Sequence, residues 1–403
     1  MPFDPTTIKK QFPIFERFPD LVYLDNAATT QKPRSVIKAI SDFYTYENAN
    51  IHRGVYNLSA QVTQKYEAVR QQLSEFFEGD SPNCFSFCSG ATEGINWVVK
   101  GYLENILQEG DNVVISAMEH HANLIPWQQL CIKNRAKLQV IPLNEKGEID
   151  LQQFSTLLTQ RTKIVALTHV SNTLGTINPI AEIVELAHQK AIPVLIDGAQ
   201  SVGHFPINLY DLAIDFLVFS GHKIFGPTGI GVLYCKEKYH DQIKATKFGG
   251  GSIKEVSFNE TSWKNYPHSM EAGTPHIAGV IGLGKALGFI NEFDLTEAFS
   301  HEQKLAILLK ENLKSIGGIE LLGNPTHFSG IASFIVENIH PHDVASFLAE
   351  QEIAVRAGHH CTQPLLASMG VPATVRVSFS VYNIEEDVVK LVEVLKELKK
   401  FWL

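Results

Sequence analysis

The 403-residue chain is 44% hydrophobic with a formal net charge of −9 and a pI near 6.0, enough to bury a full core and long enough to predict one large and one small domain. The acidic balance argues against nucleic acid or an anionic membrane surface as partner, and no apolar run reaches the roughly 18 to 20 residues that a membrane span requires. With no charged-then-apolar leader and five cysteines, an odd count unsuited to a disulfide framework, the chain is expected to be soluble, cytoplasmic and reduced.

From about Asp20 to Ile290, strand-like and helix-like segments alternate. This predicts an α/β large domain over residues 20–290, with a mostly parallel sheet between helices. A short apolar run, Cys84 to Cys88, leads into Ser89, Gly90, Ala91, Thr92, Glu93 and Gly94 and then a helical segment through Val99. Small residues opening a helix leave N–H groups free for an anion, and the helix dipole favours negative charge, although an ordinary cap has the same composition. Adjacent His120 and His121 follow. With His359 and His360 they could be imagined as a metal site, but neighbours in extended chain point apart and no spacing resembles a zinc motif, so no metal is expected.

Farther on, Ile192 to Ile196 reads as a strand buried on both faces, with Pro193 at its start, and it ends in Asp197, Gly198, Ala199 and Gln200. A carboxylate at the carboxyl end of a buried strand needs a partner: a helix N-terminus, an ion pair, or a bound cationic ring. The apolar run Phe216 to Phe219 then leads into Ser220, Gly221, His222 and Lys223. An amine at that strand end could form a Schiff base, whereas a lysine alone would read as a surface charge.

Beyond Asn291 the pattern changes to a long helix through Leu313, a strand at Ile331 to Val336, a helix from His342 to Glu350, strands near Ile353 to Arg356 and Val375 to Phe379, and a terminal helix. This predicts a small α+β domain over residues 291–403. Asn383 and Glu386 look like a capping box for the last helix, whose Val388, Leu391, Val392, Leu395 and Leu398 form a core-facing stripe. Cys84, Cys88, Cys131 and Cys235 lie in or beside apolar runs and read as core residues. Cys361 follows Gly358, His359 and His360 in a polar turn where a thiol would be exposed.

Strand then anion turn, strand then Asp, strand then Ser, His and Lys together describe a site for pyridoxal 5'-phosphate. In these pieces the sequence resembles the fold type I pyridoxal phosphate enzymes, and more narrowly the cysteine desulfurases and selenocysteine lyases of the SufS-like kind. The resemblance runs almost end to end, through Tyr23 to Thr30, Asn50 to Gly54, Met118 to Asn123, the Asp197 and Lys223 blocks, and Arg356 to Cys361. In that family the segment 1–19 would pack on the small domain.

The resemblance implies a role for each matching residue. Lys223 would hold the cofactor covalently and then act as a general base, Asp197 would pair with the pyridinium nitrogen, and Gln200 would contact the ring hydroxyl. Thr92, Ser220 and His222 would bind the phosphate, and His120 would stack on the ring with His121 behind it. Asn172, Arg356 and Arg376 would face the substrate, Arg376 holding its carboxylate with a fork suited to that group. Taken alone, Arg376 could equally be a structural ion pair. Cys361 would be the nucleophile, its thiolate favoured by Arg356 and the neighbouring histidines. The short turn before it resembles the second group of desulfurases, which implies a sulfur-acceptor protein of the SufE or SufU type. Thr274 resembles a phosphate ligand given across a two-fold axis, which implies a homodimer. The implied substrates are L-cysteine and L-selenocysteine. The competing readings are another pyridoxal enzyme, such as an aminotransferase, epimerase or β-lyase, which needs no thiol at position 361, and a scaffold without activity.

Overall fold

The structure is a computed structural model that describes residues 3–79 and 81–402. A two-residue strand β1 (Val22–Tyr23) precedes the strands of the main sheet: β2 (Phe85–Cys88), β3 (Asn112–Ser116), β4 (Lys137–Ile141), β5 (Thr162–Thr168), β6 (Val194–Asp197), β7 (Phe216–Ser220) and β8 (Gly231–Cys235). The sheet order is β2-β8-β7-β6-β5-β3-β4, and only β8 runs antiparallel to its neighbours. Strands β3, β5, β6, β7 and β8 are inaccessible along nearly their whole length, as continuous apolar runs demand when helices cover both faces. Alternate residues feed opposite cores. Val114, Val165, Leu217 and Phe219 join one cluster, and Val113, Ile164, Phe216 and Val218 join the other.

A hairpin of β9 (Ile253–Val256) and β10 (Thr261–Trp263) projects with exposed residues on both faces, and the sequence reading did not contain it. The C-terminal part builds a second, mostly antiparallel sheet from β11 (Ile319–Leu321), β12 (Ile331–Val336), β14 (Arg356–Gly358) and β15 (Thr374–Ser378), with helices Leu295–Ser315, Pro341–Glu350 and Glu385–Trp402 around its own core. Val388, Leu391, Val392, Leu395 and Leu398 are all buried there.

Three details differ from the sequence reading. The strand expected near 353–356 divides, because β13 (Ile353–Ala354) leaves the small sheet to pair in parallel with β1. Residues 22–23 therefore bond to the C-terminal part although they fall inside the 20–290 range. The segment before them lies at the seam and touches both parts: Phe12 packs edge-on to Phe225, Phe289 and Tyr382, and Phe3 to Phe293. The capping box of Asn383 and Glu386 does not form. Asp387 reaches back to the Ile384 N–H at 3.2 Å, and the Asn383 amide turns to Asp387 and to the carbonyl of Tyr23.

Candidate active site

The carboxyl ends of β3, β5, β6 and β7 converge, as expected for a ligand crevice in an open α/β sheet. They surround a cavity of about 210 Å³ that meets Thr92, His120, Asn172, Asp197, Gln200, Ser220, His222, Lys223, Arg356 and Arg376. Residues separated by more than 280 positions thus share one wall, together with Ala27, Ala28 and Thr168, which the sequence reading did not single out. A neighbouring groove of about 540 Å³ shares Thr92, His120 and Ala122 with it.

Lys223 closes a short turn, Gly221–Lys223, directly after β7. The turn is tight: the Gly221 N–H donates to Ile230 O at 2.8 Å, and a Cβ at Gly221 would lie 2.8 Å from the Ile230 side chain. Burial, only partly offset by Asp197, draws the Lys223 pKa down to about 8. Asp197 is raised by the same burial, against the Ala199 N–H and the lysine charge. Its Oδ1 accepts from Ala199 N at 3.0 Å, which leaves Oδ2 outside that contact.

The anion turn is built by close approach. Ser220 Oγ accepts the Ala91 N–H at 2.9 Å at the start of the helix Ala91–Trp97, keeping its own proton to give. Where β8 passes underneath, a Cβ at Gly231 would fall 2.5 Å from Gly90 Cα, so a side chain cannot fit. Burial first, then the charges of Lys223 and Lys32, holds the His222 ring at about 4. Lys32 Nζ donates to the His222 carbonyl at 2.8 Å and to the Thr30 carbonyl at 2.6 Å, and burial draws it down to about 7. Gln200 Nε2 donates to Ala27 O at 2.8 Å.

His120 is neutral. Burial, then Lys223, pushes it down to about 3, and its Nδ1 accepts the Ala122 N–H at 3.0 Å, which leaves Nε2 as the protonated nitrogen. His121 turns the other way: its Nε2 accepts from Gln363 N at 3.3 Å, and its N–H donates to Cys361 O at 2.8 Å.

On the opposite wall Arg376, fully buried, donates from Nη2 to Asp25 Oδ1 at 2.9 Å and from Nη1 to Asn172 O at 3.0 Å. It is a structural ion pair and a cavity residue at once. Its Nε is a buried donor with no acceptor among the described residues. Asn172 Nδ2 donates to His360 O at 2.7 Å.

Cys361 is partly exposed, while Cys84, Cys88, Cys131 and Cys235 are buried. It is not part of the cavity wall, but its sulfur lies 3.8 Å from Arg356 Nη2, which is. His360 and Cys361 both adopt left-handed φ, 52° and 59°, a strained turn for two non-glycine residues in succession. The turn is held by Asn172, His121, the His360–Thr374 contact of 2.8 Å and the Thr173–Thr362 contact of 2.8 Å. One expectation changes. Burial drives the His360 ring down to about 3, so the cationic neighbours of the thiol are arginines rather than that histidine.

Thr274 is exposed and does not reach the cavity of its own chain. Its loop is tied down by Glu271, which accepts from Phe87 N at 2.7 Å and from Arg70 at 2.5 Å.

The Aminotransferase class-V model matches residues 22–391. The chain belongs to the class-V aminotransferase family. A probable cysteine desulfurase of Halalkalibacterium halodurans is 44% identical over 398 residues, 98% of each chain. Among solved structures, the cysteine desulfurase CsdA of Escherichia coli aligns with a TM-score of 0.93 at 37% identity, and the apo cysteine desulfurase of Thermococcus onnurineus with 0.95 at 37%, each over 99% of both chains. The family fold is thus the α/β architecture expected from the sequence, its mostly parallel sheet made mixed by β8.

The cavity residues fit a pyridoxal phosphate. Asp197 has a buried oxygen for a pyridinium N–H, Lys223 has a lowered pKa and faces the same space, and Ser220 has a proton free beside a helix start. Asp25, Lys32 and Glu119 hold this frame, and sequence reasoning gave none of them a part.

Proposed function

We propose that this chain is a pyridoxal-phosphate-dependent cysteine desulfurase, converting L-cysteine to L-alanine and leaving a persulfide on Cys361. The observation that carries the reading is the 3.8 Å approach of Arg356 to the Cys361 sulfur at the edge of a cavity that also holds Lys223 and Asp197.

Lys223 would hold the cofactor, Asp197 its ring nitrogen, Gln200 its ring oxygen, and Thr92, Ser220 and His222 its phosphate. When bound, the cofactor supplies an electron sink that makes the substrate Cα–H acidic and the bond from Cβ to sulfur weak. Arg376 Nε, the donor without an acceptor, and the Asn172 side chain hold the substrate carboxylate. Lys223, at about 8, carries a proton between substrate atoms near neutral pH. His120 covers the site with Nε2–H. The Cys361 sulfur, 3.8 Å from Arg356 Nη2, attacks the substrate sulfur as a thiolate. An S–S bond forms, the C–S bond breaks with its electrons left on carbon, and that carbon takes a proton to become the methyl of alanine.

Selenocysteine fits the same site, with selenium the better leaving atom. Exposed Thr274 serves the site of a second copy, so the working unit is a homodimer, and the persulfide passes to an acceptor protein of the SufE or SufU type. A monomer that retained cofactor and full activity would overturn the shared site.

The deciding experiment is incubation of the cofactor-loaded protein with L-cysteine and a thiol reductant. Alanine with matching sulfide is expected. A yellow protein that forms no alanine would transfer the assignment to another amino-acid reaction of the same family.

A further inference from the structure

Glu119 immediately precedes His120 and is buried. Its Oε1 accepts from the Ser116 hydroxyl at 2.5 Å and from the Thr168 N–H at 3.1 Å, and its Oε2 from Asn123 Nδ2 at 2.6 Å. The polarity of all three contacts is set by their surroundings. Trp127 Nε1, which can only donate, bonds Asn123 Oδ1 at 2.9 Å and so turns the amide NH2 toward Glu119. Thr168 offers a backbone N–H, and Ser116 Oγ already accepts from Met118 N at 3.3 Å, leaving its proton for Glu119. The position therefore requires acceptors on both oxygens, and a carboxylate is the only ordinary side chain of this length that has them.

Burial without a cationic partner in that shell is costly and pushes the Glu119 carboxyl up, while the hydrogen bonds from Ser116, Asn123 and Thr168 pull it back toward the ionised form that accepts from all three. The position of the residue explains why the cost is met. Ser116 ends β3 and Thr168 ends β5, so the carboxyl joins two strand ends under the cavity. The turn that it anchors has two outputs. It carries His120 into the cavity wall, with Asn123 N bonded to His120 O at 2.8 Å, and it carries the His121 N–H to Cys361 O.

We propose that Glu119 is a positioning residue: by accepting from Ser116, Thr168 and Asn123 together, it fixes the turn that sets His120 in the cavity wall and tethers the Cys361 turn. The link to catalysis rests on the desulfurase reading, but the tether to Cys361 does not.

The test is a donor–acceptor exchange on the purified, cofactor-loaded protein. Glu119→Gln places an NH2 against another donor in either amide orientation, Asn123 in one and Thr168 in the other. Adding Asn123→Asp restores an acceptor opposite that NH2 and leaves the Trp127 contact intact. Two quantities are read: the alkylation rate of Cys361, resolved by peptide mass, and the rate of alanine formation from L-cysteine. Glu119→Gln is expected to speed alkylation and to slow alanine formation, each by about tenfold, and the double variant to bring both back within about threefold.

Should Glu119→Gln fail to fold, recovery of both rates in a folded double variant supports the proposal by itself. Parental rates in Glu119→Gln, or a loss of melting temperature with both rates unchanged, would overturn it. So would a double variant no better than the single one. If the parent forms no alanine but alkylation follows the expected pattern, the desulfurase reading fails and the positioning role stands.

Discussion

Arg356 and Arg376 are direct cross-strand partners on β14 and β15, so two guanidinium groups face one cavity from opposed positions. Like charges directly opposite in a sheet repel. Asp25 offsets part of this for Arg376, yet burial, and then Arg356, still draws the Arg376 pKa down to about 10. The pair is under electrostatic tension, which an anion bound in the cavity would relieve.

Arg376→Lys keeps a charge but loses the Nε donor and the planar group that bonds Asp25 and Asn172 at the same time. We expect KM for L-cysteine to rise by about ten- to a hundredfold, with kcat less affected and the absorbance of the bound cofactor unchanged. Steady-state kinetics at matched cofactor loading checks this, and an unchanged KM would remove Arg376 from substrate binding.

Cys361→Ser removes the only cysteine among the described residues that is not buried. Alanine formation from L-cysteine should fall by at least about a hundredfold, because no thiolate remains to take the sulfur. The cofactor should stay bound, since Cys361 is not part of the cavity wall. Turnover at the parental rate would refute the nucleophile assignment.

At the seam between the two parts, His204 Nδ1 lies 2.8 Å from Glu302 Oε2, and Glu302 is buried on the helix Leu295–Ser315. Burial lowers the His204 pKa, but the Glu302 charge and hydrogen bond outweigh it and raise the pKa above the ordinary 6.5. A histidine raised in the folded state contributes stability that is complete below its unfolded value and is lost as pH rises through the folded one. The melting temperature should therefore fall as pH rises above about 6.5, and His204→Gln should flatten that slope. Parallel slopes for parent and variant would exclude this pair as their source.

Arg70 and Glu271 form a buried pair at 2.5 Å, with side chains 2% and 7% exposed. Glu271→Ala removes the buried partner of the guanidinium, leaving it the partly exposed Glu67 at 2.8 Å and Phe85 O, and also frees the Phe87 N–H, so a loss of about 3 kcal/mol is expected from urea unfolding. Replacing both residues by Met should lose less, because the carboxylate that remains, Glu67, is partly exposed and keeps its His52 contact. Equal losses would show that packing, not charge, is what Glu271 provides.

The two sheets were legible because their strands are largely apolar runs: Phe216 to Phe219 and Ile331 to Val336 fall on β7 and β12 to within a residue. The hairpin of β9 and β10 was not, since both strands are exposed and no alternation marks them. In the site, Lys223 and Asp197 stand out by their place at strand ends. Asp25 gives no local sign, because its partner Arg376 is 351 residues away. Glu119 is silent for a related reason: a buried carboxyl with only neutral donors has no countercharge in the sequence to betray it.

The pairing of β1 with β13 has a consequence for the order in which the molecule is made. Leu24 and Asn26 are made more than 300 residues before their partners: Leu24 bonds Ala354 and Ser378, and Asn26 bonds Ser378, 352 residues later. The segment around Leu24 must wait unpaired while the residues between are made, and the small sheet cannot close on the cavity until Thr374–Ser378 has emerged. Gln200, which grips Ala27 O, belongs to the part that is ready first. The nascent chain therefore completes its large sheet before the wall that carries Arg376, so a chain stopped short of Thr374 has Lys223 and Asp197 but no Arg376 opposite them.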